Sequence, residues 1–204
     1  MGISPKQFED MKARVSGAKP KPVAAPAFAQ GSVKRSLAGQ IILGVDPSLR
    51  GTGYGVIRFV ESRPEAVVFG TISVPPGWER SRCLARILQT LREVLRQHRP
   101  TVCVVEGLFY AQNLQTALIM GEARGASLAV VAEAGLEIYE IAPRKVKQAV
   151  VGYGAAQKVA VAKMVQRMLR LPAPPDADAA DALALALAYS QGLTRFSFGG
   201  SRRI

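Results

Sequence analysis

The chain has 204 residues, which is room for one domain of ordinary size with a tail and too little for two such domains. Apolar residues make up 49% and charged residues 21%, the composition of a globular protein that buries a core, and no apolar run approaches the roughly 18 residues that a membrane span needs. Lys and Arg number 27 against 15 Asp and Glu, a net charge of +12, so the first expected partner is a polyanion.

The excess positive charge is concentrated at the two ends of the chain. Residues 1–38 contain seven basic and two acidic side chains, and residues 191–204 contain three basic and none acidic. The first segment is rich in Lys, Pro, Ala, Ser and Gly, a composition typical of disorder. We therefore expect a flexible basic arm over residues 1–38, a folded domain over 39–191 and a short basic tail over 192–204.

The folded region opens with three short apolar runs, "QIILGVD", "TGYGVIRFV" and "AVVFGTISV", which predict an antiparallel meander. Helical spacing follows over residues 79–97, then a strand in "TVCVVE" that is apolar throughout, as expected for a strand covered on both faces. A helix over 113–134, a strand in "LEIYEIA" and helices over 144–151, 155–169 and 176–190 complete the order. This predicts an α/β protein whose five-stranded mixed sheet is flanked by helices and contains a strand-helix-strand crossover.

Cysteine and histidine usage excludes several kinds of chemistry. Cys83 and Cys103 show no CxxC spacing, so they predict buried thiols in a reducing cytosol and a cytoplasmic protein. The only histidine, His98, stands at a predicted helix end. That placement argues against a Ser-His-Asp or Cys-His mechanism and against most zinc chemistry. Any hydrolysis would have to use carboxylates.

Four carboxylates occupy positions where chemistry is possible. Asp46 ends the first strand and Glu106 ends the apolar fourth strand, while Asp178 and Asp181 share one face of the last helix. Each also has a purely structural interpretation. Asp46 could be a turn residue before Pro47, and Glu106 could be an acid in a salt bridge. Asp178 and Asp181 could stabilise the N-terminus of a helix that Asp176 caps. The apolar "ALALALAY" that follows Asp181 indicates that this helix packs on the sheet, which would carry its two aspartates towards the strand ends.

Four converging carboxylates would repel one another by about 4 kcal/mol per pair at 4 Å and an effective dielectric near 20. Two Mg²⁺ ions would cancel that charge, and Mn²⁺ would substitute, because oxygen-only ligands suit these hard cations. Paired ions of this kind assist phosphodiester cleavage.

Five segments, in this order along the chain, resemble the signatures of the RuvC family of bacterial crossover (Holliday) junction endonucleases. They are "ILGVDPSLRGTGYGVI", "VVEGLF", "ARGASLAVV", "PRKVKQAVVGYGAAQK" and "LPAPPDADAADALALALA". The resemblance implies an RNase H-like fold, a homodimer, and Mg²⁺-dependent paired nicking of four-way DNA junctions in homologous recombination and repair. It also implies a RuvA and RuvB branch-migration complex as partner.

The resemblance assigns roles to individual residues. The metal ligands it implies are the four carboxylates, Asp46, Glu106, Asp178 and Asp181. Lys147 and Lys158 match basic residues placed near the scissile phosphate, although each could be an ordinary solvated lysine. Phe109 matches an aromatic used against bases at the crossover, and stacking on an unpaired base is worth roughly 1–3 kcal/mol. Asn113 lies in the same segment, and the helix after it resembles the dimer-forming helix, with small residues at Gly121, Ala123, Gly125 and Ala126.

The loop after Asp46 departs from the pattern, since it reads Pro-Ser-Leu-Arg where relatives have Pro-Gly and a small residue. Three other functions remain open. A related nuclease could trim structured RNA, a non-catalytic protein could bind junctions, and the glycine-rich hairpin is reminiscent of ATP-binding proteins of the actin and sugar-kinase type. The four acids argue against a purely architectural role, and the chain is short and lacks a second glycine-rich phosphate loop for the ATP-binding alternative.

Overall fold

The computed structural model describes residues 37, 39–61, 63–107, 113–194 and 201–204. The predicted basic arm lies outside this part of the chain, apart from residue 37. Six strands form one sheet in the order β3-β2-β1-β4-β5-β6. Their bounds are β1 Ile41–Asp46, β2 Gly51–Val60, β3 Arg63–Ser73, β4 Val102–Glu106, β5 Glu137–Ile141 and β6 Ser201–Arg203.

The sheet is mixed, as the sequence predicts. The first three strands form the expected antiparallel meander, with Asp46 opposite Gly53 in the β1–β2 pair. β1, β4 and β5 run parallel, and Val45 of β1 pairs with Val105 of β4. Because parallel strands end at the same edge of a sheet, the carboxyl ends of β1 and β4 lie side by side.

The expected count of five strands is wrong by one, because residues 201–203 of the predicted tail form β6. This strand pairs antiparallel with β5, and the Ile204 amide donates to the Ile138 carbonyl at 3.1 Å. Arg203 adds an ion pair of 2.9 Å to Glu137. Three exposed residues with two arginines carry no hydrophobic periodicity. The strand forms because the open edge of β5 offers backbone donors and acceptors. The hydropathy pattern of the sequence does not reveal this cause.

Five described helices cover the two faces of the sheet. They are α1 Arg80–His98, α2 Leu114–Glu133, α3 Pro143–Val151, α4 Lys158–Leu169 and α5 Ala177–Thr194. One buried cluster joins α1 and α2 to the sheet, and a second joins α3, α4 and α5 to the opposite face. α2 connects β4 to β5, which confirms the predicted crossover. None of the helices in the described residues is long and apolar enough to cross a bilayer.

Helix boundaries differ from the sequence expectation by more than one residue in two places. α4 begins at Lys158 and not at residue 155, with Gln157 in extended conformation at its N-cap position. α5 continues to Thr194, past the expected end of the folded domain at residue 191. β4 is buried on both faces, as its continuous apolar sequence predicts: Val102 and Val104 belong to one cluster, and Cys103 and Val105 to the other.

Candidate active site

Asp46 and Glu106 are the last residues of two adjacent parallel strands, each directly after one member of the Val45–Val105 pair. Neighbouring strands lie about 4.8 Å apart, and successive side chains point to opposite faces. Val45 and Val105 pack in the cluster beneath α1 and α2. Asp46 and Glu106 therefore project to the other face of the sheet, the one that α5 covers.

Glycines allow α5 to lie directly on that face. A Cβ atom added at Gly44 would overlap the carbonyl oxygen of Ala182, and one added at Gly53 would overlap the carbonyl oxygen of Asp178. Only residues without a side chain permit this close approach of helix backbone to strand backbone. Since Gly53 is the cross-strand partner of Asp46, the approach brings the first turn of α5, and with it Asp178 and Asp181, over the end of β1.

The electrostatics of the site indicate that the carboxylates influence one another. The pKa of Asp46 is raised from 3.8 to about 7, first by burial and then by the negative charges of Glu106, Asp181 and, more weakly, Asp178, with Lys158 acting in the opposite sense. Burial, followed by the charge of Asp181, likewise raises the pKa of Glu106. Desolvation and like charges both disfavour an ionised carboxyl group. The site therefore carries an excess of negative charge.

Two predicted lysines lie at this cluster. The Lys158 ammonium donates to Oδ2 of Asp181 at 2.8 Å, and this bond raises the pKa of Lys158. The Lys158 side chain remains 66% exposed, so it sits at the rim of the cluster and in reach of solvent. Lys147 of α3 is half-buried, and its positive charge lowers the pKa of Glu106.

The donor set of the site suits a hard divalent cation, because four carboxylates supply only oxygen atoms and carry more negative charge than the neighbouring lysines balance. The side chains are spread apart, however. Within the residues described here, no three His, Cys, Asp or Glu side chains come close enough together to hold a metal ion. The partner of Asp181 is the Lys158 ammonium. The fit to a metal thus rests on charge and donor chemistry.

Phe109 and Asn113 are the two remaining residues for which the sequence predicts a role, in contact with DNA. Phe109 lies outside the described residues. Asn113 occupies the N-cap of α2, where its side-chain oxygen accepts from the Thr116 amide at 2.8 Å. Its predicted contact with DNA stays a prediction, because capping alone accounts for an asparagine at this position.

The loop after Asp46, which departs from the family pattern, is held by side chains that the sequence analysis did not single out. Arg50 donates from Nη1 to the Pro75 carbonyl at 2.8 Å and from Nη2 to the Trp78 carbonyl at 3.1 Å. Thr52, fully buried, exchanges hydrogen bonds with the backbone of Ser48. These contacts hold the loop that connects Asp46, the last residue of β1, to β2.

A second arginine that the sequence analysis did not consider lies behind the site. Arg124 of α2 donates to the main-chain carbonyl of Glu106 and, at 2.7 Å, to the Glu140 carboxylate. Its signal in the sequence is a lone cation within an Ala-, Leu- and Val-rich helix, where burial requires a partner.

Comparison of the sequence with known proteins identifies relatives over most of the folded region. The family model described as crossover junction endodeoxyribonuclease RuvC matches residues 42–189. The RuvC of Akkermansia muciniphila is 45% identical over 148 residues, covering 72% of this chain and 89% of that protein. The RuvC of Tolumonas auensis is 46% identical over 150 residues, covering 74% and 86%. This chain belongs to the RuvC family.

Solved structures of related proteins have the same fold as this chain. A Thermus thermophilus RuvC in complex with a Holliday junction substrate is 30% identical, with a TM-score of 0.71 over 81% of this chain and 99% of that one. The yeast mitochondrial Holliday junction resolvase Ydc2 shares the fold at 12% identity, with a TM-score of 0.56 over 95% and 88%. The family and the RNase H-like fold expected from the sequence are therefore confirmed.

Proposed function

We propose that this RuvC-family protein resolves four-way DNA junctions by cutting two opposed strands symmetrically, through phosphodiester hydrolysis assisted by two divalent cations. The observation that carries the proposal is the mutual electrostatic influence of acids from three elements: the charges of Glu106 of β4 and of Asp181 and Asp178 of α5 all raise the pKa of Asp46 of β1. Membership of a family of crossover junction endodeoxyribonucleases supports the same substrate. The cellular setting we infer is homologous recombination and DNA repair in the bacterial cytoplasm.

The metal ligands in this proposal are Asp46, Glu106, Asp178 and Asp181, and the cation is Mg²⁺, for which Mn²⁺ would substitute. When bound, such ions supply Lewis-acid stabilisation of the charge that develops in phosphodiester cleavage. The protein contributes a rigid frame, because strand ends and a helix held against glycines cannot move apart freely. Partial burial of Asp46 and Glu106 lowers the local dielectric and strengthens the electrostatic interactions in the site.

The lysines supply positive charge for the DNA. Lys158 stands at the exposed rim with its ammonium on Asp181, so it would be accessible to a phosphate that approaches the carboxylates. Lys147 adds a second positive charge near Glu106. Both would orient and partly neutralise the scissile phosphate. Phe109 and Asn113 keep their proposed roles at the crossover, with Asn113 also capping α2.

A homodimer follows from the need for two symmetric incisions, since a twofold pair presents two identical sites to a substrate that is nearly twofold. α2 supports this arrangement. Leu114 and Leu118 are 77% and 58% exposed, and a Cβ atom at Gly121 or Gly125 would meet nothing within 4 Å. These four positions form one apolar stripe along the helix, suited to close approach of a second copy. Ala123, by contrast, is buried against the sheet.

The terminal segments and further partners complete the proposal. Residues 1–38 would add affinity for DNA through their positive charge without reading the junction. The basic tail over 192–204 would belong with the nuclease domain proposed over 39–191, because residues 201–203 form β6 of its sheet. The branch-migration proteins RuvA and RuvB are the proposed protein partners, on the strength of family membership.

The alternatives differ in their substrates and products. A non-catalytic junction binder has no use for clustered carboxylates, which repel the phosphates it would contact. An RNA-trimming nuclease would share the carboxylates and differ in substrate. An ATP-binding protein needs a phosphate-binding loop in place of the acidic cluster described above.

A cleavage assay tests the proposed function. The purified protein is incubated with a mobile four-way junction, a matched duplex and a hairpin RNA, with and without Mg²⁺, and the cuts are mapped on every strand. We expect paired nicks in opposed strands of the junction, only with Mg²⁺, and no cutting by Asp46→Asn. Asp176→Asn, which alters an exposed aspartate two residues before Asp178, is the matched control and should cut normally. Cleavage of the RNA, or binding without cutting, would overturn the proposal.

A further inference from the structure

Arg124 links three structural elements behind the carboxylate cluster. Its side chain is only 12% exposed, and its guanidinium bonds the Glu106 carbonyl through Nη1 and the Glu140 carboxylate through Nη2, the latter at 2.7 Å. α2, which carries Arg124, packs on the face of the sheet opposite α5. Arg124 thus reaches the end of β4 from the side away from the proposed active site.

The Glu106 carbonyl lies where the strand ladder runs out. In the β1–β4 pairing the last partners are Val45 and Val105, one residue before the strand ends. On the other side, the Gly107 amide still donates to the Ile141 carbonyl at 2.9 Å. A strand end that points a carbonyl into a partly buried region needs a donor, and Arg124 supplies it.

The second arm of the guanidinium ties this strand end to β5. Glu140 stands opposite Val105 in the β4–β5 pairing, and its side chain is 27% exposed. Because Val105 belongs to the cluster beneath α2, the Glu140 side chain faces α2 as well. The planar fork of an arginine can hold a carbonyl and a carboxylate in fixed directions at the same time, which a lysine ammonium on a flexible stem does less well.

We propose that Arg124 is a positioning residue, which fixes the main chain at Glu106 from behind the sheet so that the Glu106 carboxylate is held towards α5 and the metal site. The proposal rests on the proposed function for the role of Glu106. Arg124 bonds the carbonyl of that residue and leaves its carboxylate to the other face. Because its bond is to the main chain of Glu106 and not to the carboxylate, Arg124 acts on this residue through geometry.

Removal of a partner that orients a metal-binding residue typically changes metal affinity or activity by about 10- to 100-fold. Arg124→Lys keeps the charge and loses one arm of the fork, and Arg124→Met loses both bonds. The matched control is Arg92→Lys, because Arg92 of α1 forms an exposed ion pair of 2.8 Å with Glu133, the last residue of α2. If Arg124→Met does not fold, Arg124→Lys carries the test.

The test has two readouts besides cleavage. The first is hydrogen exchange of the Gly107 amide in metal-free protein, compared with the buried amides of Val104 and Val45. We expect exchange at Gly107 about tenfold faster or more in Arg124→Lys, with the core amides unchanged. The second is Mn²⁺ affinity by calorimetry, which should weaken about 10- to 100-fold in Arg124→Lys and stay at the wild-type value in Arg92→Lys.

Three outcomes would contradict either the positioning role of Arg124 or the proposed function. Wild-type exchange at Gly107 and wild-type Mn²⁺ affinity in Arg124→Lys would refute the positioning role while leaving the proposed function intact. Faster exchange of all core amides, with unchanged Mn²⁺ affinity of the folded protein, would show that Arg124 only stabilises the fold. A wild-type protein that neither binds Mn²⁺ nor cuts junctions would refute the proposed function, whereas the Gly107 exchange would still test the anchoring of β4.

Discussion

Asp46→Asn offers the sharpest test of the carboxylate cluster, because it removes charge without changing shape. In metal-free protein the folded state raises the pKa of Asp46 from 3.8 to about 7. An acid whose pKa is higher in the folded state favours folding while it is protonated. That stabilisation is complete below pH 3.8 and is lost as the pH rises to about 7.

The magnitude follows from the shift. It amounts to roughly three pH units at about 1.4 kcal/mol each, so the ionised Asp46 lowers the free energy of unfolding by at most about 4 kcal/mol at pH 8. Asparagine imitates the protonated acid at every pH. We therefore expect Asp46→Asn to be more stable than the wild type by up to about 4 kcal/mol at pH 8, with the difference shrinking towards zero near pH 4.

The measurement is urea unfolding in a chelating buffer at several pH values between 4 and 8, followed by circular dichroism. For a chain of this size, each kcal/mol corresponds to about 2–4 °C in melting temperature, so thermal unfolding checks the same difference. Asp176→Asn, at an exposed position, should show no such gain. If Asp46→Asn is no more stable than the wild type at pH 8, or if its advantage does not grow with pH, the carboxylates do not share one site.

Three further predictions concern the support of the site, its lysine and the basic arm. Gly53→Ala should lower the free energy of unfolding by about 1–3 kcal/mol in urea titrations, because its Cβ would overlap the Asp178 carbonyl, whereas Gly192→Ala, where a Cβ meets nothing, should not. Lys158→Gln should slow single-turnover cleavage by about 100-fold or more without weakening Mn²⁺ binding, with the exposed Lys163→Gln of the same helix unaffected; equal rates would contradict the role of Lys158. Removal of residues 1–38 should weaken duplex and junction binding alike and flatten the dependence of affinity on salt, so a selective loss of junction binding would show that the arm reads structure.

Much of the fold could be predicted because its signals are local. The meander, the crossover and the helices follow from alternation and 3.6-residue periodicity, and β4 is recognisable from its unbroken apolar run. β6 could not be predicted, since its three residues owe their conformation to the unpaired edge of β5. The expected start of α4 at residue 155 is wrong: Ala155 and Ala156 favour helix by composition, but Gln157 is extended in the structure.

The adjacent positions of Asp46 and Glu106 could be predicted for a related reason. A lone acid at the end of an apolar strand, such as Glu106, stands out in the sequence, and parallel strands bring such ends together. What the sequence could not supply is the environment of each group. The bond from Lys158 to Asp181 and the contacts of Arg124 with β4 and β5 join residues that are far apart in the chain, and they depend on packing of the whole sheet.

The most direct test of a shared metal site is anomalous diffraction from crystals soaked in Mn²⁺. The account predicts two manganese peaks among the carboxylates of Asp46, Glu106, Asp178 and Asp181, and their loss in Asp46→Asn crystals grown in the same way. A wild-type map in which these oxygens point away from one another, with no manganese between them, would contradict it.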